Sequence, residues 1–94
     1  MSAIEPVAAP EADEHRPAPS PARLVKRSIA IEGHRTSVAL EAAFWDALDE
    51  IARRDYPSLS SLIAQADRMR GDQGLASALR LLALDYYRRK AGAE

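Results

Sequence analysis

The spacing of hydrophobic positions changes inside residues 33–51. Thr36, Val38 and Leu40 recur every second residue, whereas Leu40, Phe44, Leu48 and Ile51 recur at intervals of three and four. Alternation marks a strand and the longer spacing marks a helix, so a short strand runs straight into an amphipathic helix with both using one apolar face. A single strand leaves its backbone N–H and C=O groups unpaired. The pattern therefore demands a partner strand.

Upstream, Ile29 and Ile31 alternate with Ser28, Ala30 and Glu32. These apolar positions are odd-numbered and those of the next strand even-numbered, so one continuous strand would place them on opposite faces. A two-residue turn at Gly33-His34 reconciles them, with Gly first as a type II′ turn requires. That hairpin pairs strand 28–32 with strand 35–40 and sets Glu32 opposite Arg35, Ile31 opposite Thr36 and Ile29 opposite Val38. A single bulged strand is the alternative.

Three helices follow. The first is predicted from about Ala42 to Asp55, with Phe44, Ala47, Leu48 and Ile51 as its buried stripe and Trp45 covering the edge. Pro57 ends that segment, and Ser58 has the chemistry of an N-cap for a second helix burying Leu59, Leu62, Ile63, Ala66 and Met69. Gly71 supplies its stop. The third helix is predicted over about 75–89, burying Leu75, Leu79, Leu82, Ala83 and Tyr86, with Leu81 and Leu84 off that face. Apolar surface this wide argues for burial between subunits.

Composition narrows the function. The chain has 94 residues and no cysteine, so it holds one small domain without disulfides, and two histidines give a zinc site almost no ligands. No cofactor is expected. Residues 1–22 carry five of the six prolines and, with Glu5, Glu11, Asp13 and Glu14 against Arg16, a charge of −3. They read as a disordered acidic tail before a domain over 23–90, and 91–94 as a frayed end. The net charge of −1 thus hides a mildly basic folded part of +2, which permits phosphate binding. The N-terminus lacks a signal-peptide pattern and no apolar run is long enough for a membrane span, so the chain reads as cytoplasmic. No glycine-rich phosphate loop, thiol nucleophile or helical His-Glu metal motif is present, so an enzyme is not expected.

The stretch Arg35-Thr36-Ser37-Val38-Ala39-Leu40, the helix through Ile51-Ala52 and the run Ser58-Leu59-Ser60-Ser61-Leu62-Ile63 resemble the bacterial ribbon-helix-helix superfamily. More narrowly, Arg27-Ser28-Ile29, Gly33-His34-Arg35-Thr36-Ser37 and Phe44-Trp45 look like a subfamily of short bacterial proteins. Asp67-Arg68-Met69-Arg70 and Leu75-Ala76-Ser77-Ala78-Leu79-Arg80 fit the same pattern. The resemblance spans about residues 26–89.

It implies a mainly α fold with a short β-ribbon, here with an extra N-terminal strand and an extra C-terminal helix. It further implies an intertwined homodimer that binds double-stranded DNA and regulates transcription. Carried over by position, Arg35, Ser37 and Ala39 face the bases. Arg23, Lys26, Arg27, Ser58, Ser60 and Ser61 face phosphates. Val38, Leu40, Phe44, Leu48, Ile51, Leu62, Ile63, Leu79 and Leu82 form the dimer core.

The hairpin register bears on this implication. A shared ribbon flanked by strand 28–32 on each edge is four-stranded, too broad for a major groove about 12 Å wide. The competing expectation is therefore a dimeric protein-interaction module of the same fold, with Glu32 neutralising Arg35 and the acidic tail available to a protein partner. His34 reads as a turn residue, and the Arg88-Arg89-Lys90 run as a complement to a helix dipole.

Overall fold

The computed structural model describes residues 20–93. Strands β1 (Leu24–Ile31) and β2 (His34–Glu41) form one antiparallel hairpin. Helices α1 (Ala42–Asp55), α2 (Leu59–Met69) and α3 (Leu75–Ala93) follow. The architecture is the predicted one, mainly α with a β-ribbon, and α1 spans its predicted bounds. The expected tail lies outside the described residues apart from its last positions. None of the described helices is long and apolar enough to cross a membrane.

β2 finds its partner strand inside the same chain, but the turn sits one residue earlier than expected. Ile31 pairs with His34, Ile29 with Thr36, Ser28 with Ser37 and Val25 with Leu40. The central residues are Glu32 at φ 47° and Gly33 at φ 92°, the two positive φ values that a type I′ turn requires. Both turns keep odd positions of β1 and even positions of β2 on one face, so alternation cannot choose between them. The earlier turn also lets the ladder run to Leu24, making β1 longer than the expected strand 28–32.

The longer β1 places Arg27 on the inner face, which is why apolar alternation is lost upstream of Ser28. Its guanidinium lies 4.5 Å from the Trp45 ring centroid, and two of its nitrogens reach the Asp49 carboxylate at 3.3 Å. The long stem covers an aromatic surface while the charged head reaches the rim.

Trp45 is itself in the core, 1% exposed, whereas Phe44 is half-buried. This corrects the expected order of the two aromatics. The indole N–H donates to the Val25 carbonyl at 2.7 Å, so turning Trp45 inward ties α1 to β1 and satisfies the one polar atom of the ring. Phe44 turns instead toward α3, 5.9 Å from the Arg80 guanidinium. Met69, expected inside, is 73% exposed, because the α2 stripe settles on Leu62, Ile63, Ala64 and Ala66.

Ile29, Ile31, Val38 and Leu40 of the hairpin close over Trp45, Leu48, Ile51, Leu62, Ile63 and Leu79 of the helices. Seven of the nine residues assigned to a dimer core (Val38, Leu40, Leu48, Ile51, Leu62, Ile63 and Leu79) are thus buried within one chain, and Phe44 and Leu82 are half-buried. The helix N-terminus at Glu41 is also closed locally. The N–H groups of Ala42 and Ala43 donate to the carbonyls of Arg23 and Pro21, so α1 needs no side-chain cap.

Candidate nucleic-acid interface

With inner positions filled by Val25, Arg27, Ile29 and Ile31, the pleat sends Leu24, Lys26, Ser28 and Ala30 outward from β1. Arg35, Ser37 and Ala39 point outward from β2, and all seven residues are exposed. The register sets Ser28 beside Ser37, Lys26 beside Ala39 and Ala30 beside Arg35. The outer surface is therefore a two-stranded strip with hydroxyls at its centre and a cation toward each end. Four residues separate the two cations along the ladder, about 13 Å of strand.

The charge of this strip depends on where the flanking glutamates go. Glu32 was expected to neutralise Arg35 across the hairpin; it instead accepts from Arg68 of α2 at 2.7 Å. Shifting the turn removes the cross-strand alignment, since Arg35 now faces Ala30. Glu41, at the other end of β2, accepts from Arg80 of α3 through both oxygens, at 2.9 and 3.0 Å. The Arg80 hydrogen bond holds the Glu41 carboxyl below the usual carboxylate range, and the same contact raises the pKa of Arg80. Both acids are thus neutralised by helix arginines. Lys26 and Arg35 make no ion pair among the described residues.

The sequence-predicted phosphate contacts divide. Arg23 and Lys26 are exposed near the open end of the hairpin. Arg27 is not brought to the outer face, because Trp45 and Asp49 hold it underneath. At the start of α2, Ser58 caps the helix, accepting from the Ser61 N–H at 3.1 Å and donating to the Ser61 hydroxyl at 3.2 Å. The hairpin tip, however, meets α2 at Arg68, ten residues further on. At the helical rise that is roughly 15 Å along the axis, so Ser58, Ser60 and Ser61 stand at the opposite end of α2 from the contact with the tip. Ser28 was missed as a member of the outer strip, although its even position in β1 was the available signal.

A β-ribbon leading into packed helices is consistent with the ribbon-helix-helix fold, here with an added strand and an added helix. The family model for the ribbon-helix-helix domain matches residues 24–87, and the chain belongs to that family. It is also similar to the solved structure of an uncharacterized protein from Bordetella pertussis Tohama I. The two share 34% identity with a TM-score of 0.68, over 92% of this chain and 72% of that one. No protein of curated function matches the chain.

Proposed function

We propose that the chain is a homodimeric DNA-binding regulator whose contact surface is the outer face of its own hairpin. The observation that carries the reading is the charge of that face. Its exposed positions hold Lys26 and Arg35 without an acid among them, while Glu32 and Glu41 at the ends are each bound by an arginine of the helices. A two-stranded strip with strands about 4.8 Å apart fits a major groove about 12 Å wide. Membership of the ribbon-helix-helix family supports the same conclusion.

On this reading Arg35 makes a bidentate contact to guanine, Ser28 and Ser37 donate or accept at base edges, and Ala39 offers a small apolar contact. Lys26 and Arg23 neutralise phosphate, fixing position without reading sequence. Arg27 acts from beneath by holding β1 on Trp45. Fluorescence titration against genomic DNA fragments tests the proposal. The wild-type chain is expected to prefer particular fragments, and Arg35→Ala to lose that preference while keeping part of its affinity. Equal preference in the two proteins contradicts the role of Arg35.

A further inference from the structure

Residues 1–19 lie outside the described residues, but the place where they join the fold is fixed. The Arg23 N–H donates to the Ser20 carbonyl and the Ala43 N–H to the Pro21 carbonyl, both at 3.0 Å. The N-terminal segment therefore joins at the open end of the hairpin, where Leu24 pairs with Glu41. Counted along β1 from that rung, Lys26 stands two residues away and Ala30, the neighbour of Arg35, six. These steps are about 7 and 20 Å of strand.

The segment and the strip carry opposite charge. Glu5, Glu11, Asp13 and Glu14 stand against Arg16 alone, a charge of −3. On the hairpin, Arg23, Lys26 and Arg35 are exposed and make no ion pair among the described residues. Arg53, Arg88 and Lys90 also lack one there, but they stand on helices that carry the exposed acids Asp46, Asp55 and Asp85. The outer positions of the hairpin carry no acid to compete for a carboxylate.

We propose that the acidic residues 11–14 of this chain fold back over the outer strip of its hairpin and compete there with DNA. The reach is sufficient. Glu14 precedes Ser20 by six residues and Glu11 by nine, and a fully extended chain covers at most about 3.3–3.6 Å per residue. Glu14 and Asp13 thus reach Lys26 with chain to spare, and Glu11, with a span of about 30 Å, reaches Arg35. Carboxylates meet the strip with the chemistry of phosphate. They pair with the Arg35 guanidinium and accept from the Ser28 and Ser37 hydroxyls. Because the link is covalent and short, the acids act at an effective concentration on the order of millimolar, so a contact that is weak between separate molecules is populated here.

Competition with DNA rests on the proposed function, whereas the contact itself does not, and the two are measured separately. The chain has no cysteine, so Ala12→Cys gives a single place for a nitroxide label. In the full chain at low salt, the label should broaden the amide resonances of Ser28, Arg35 and Ser37 and leave those of Arg88 and Lys90 sharp. Combining Glu11→Gln, Asp13→Asn and Glu14→Gln should remove most of that broadening, as should salt near about 1 M, where charges are screened within about 3 Å. Without the label, the neutralised chain should bind DNA at least about fivefold more tightly at low salt, with a gain that shrinks as salt rises. Broadening that survives neutralisation, or that falls on α3 instead of the strip, overturns the inference. So does tighter DNA binding with no broadening of the strip, since repulsion at a distance is then the whole effect. Salt-sensitive broadening of the strip in a chain that binds no DNA, or whose DNA affinity ignores the acids, leaves the contact standing and removes the ribbon reading.

Discussion

Lys26 and Arg27 are adjacent cations that the fold assigns to opposite faces, so substituting each with alanine should have opposite consequences. Arg27→Ala removes a guanidinium 4.5 Å from the Trp45 ring and a half-exposed ion pair with Asp49. The cation–π contact is worth about 0.5–1 kcal/mol, or more where water is excluded. A half-exposed pair contributes about 0.2–1 kcal/mol. Together they give a loss of about 1.5 kcal/mol, and since each kcal/mol moves Tm by about 4–8 °C in a domain this size, a fall of roughly 6–12 °C. Trp45, the single tryptophan of the chain, lies directly under Arg27 and reports unfolding through its own emission.

Lys26→Ala touches no inner contact and should change stability by less than about 0.5 kcal/mol. It should instead weaken DNA binding evenly across sequences, with a salt slope smaller by about one per lost phosphate contact. Arg27→Ala, studied well below its Tm, should bind DNA as the wild type does. Urea denaturation followed by tryptophan emission, beside DNA titration of the same samples, separates the two effects. If Arg27→Ala kept full stability but bound DNA as weakly as Lys26→Ala, the assignment of faces would be refuted.

Gly33 occupies φ 92° with open space where a Cβ would stand, so Gly33→Ala should cost about 1–2 kcal/mol through backbone strain alone, measurable as a lower urea midpoint. Burial, followed by the hydrogen bond to Glu50, pushes the Tyr87 phenol up to about 12. A raised pKa means that Tyr87 favours the fold fully below its ordinary value near 10 and loses that contribution as pH rises through about 12. Alkaline unfolding of Tyr87→Phe should lack that step; an unchanged alkaline profile would show that the bond to Glu50 does not matter.

The period change at Leu40 correctly located the passage from strand to helix, because Val38, Leu40, Leu48 and Ile51 all face one core. Caps and stops were equally local. Ser58 closes α2 through a bond three residues away, and Gly71, with φ 59°, follows its last turn. Legibility ended where a choice depended on distant residues. Parity could not distinguish the turn at Glu32-Gly33 from one a residue later. That choice freed Arg35, since Glu32 has its partner on α2, 36 residues away.

Trp45 and Phe44 exchanged places for a comparable reason. The position of the Val25 carbonyl decided which ring turned inward, and no helical spacing records it. The residues expected in a shared core pack within their own chain, where β1 reaches back to Leu24 and pairs with β2. What remained visible in the sequence was the second apolar edge of α3, where Leu81 and Leu84 stand off the buried face.

The central claim, that the hairpin's outer strip contacts DNA, is tested most directly by the salt dependence of binding in the wild type and in Lys26→Ala/Arg35→Ala. A plot of log Kobs against log salt should be steep for the wild type, because each neutralised phosphate releases counterions and adds about 0.9 to the slope. The double variant should bind more weakly and with a slope shallower by at least about one per dimer. An identical slope in the two proteins, or no binding by the wild type even at low salt, would contradict the account.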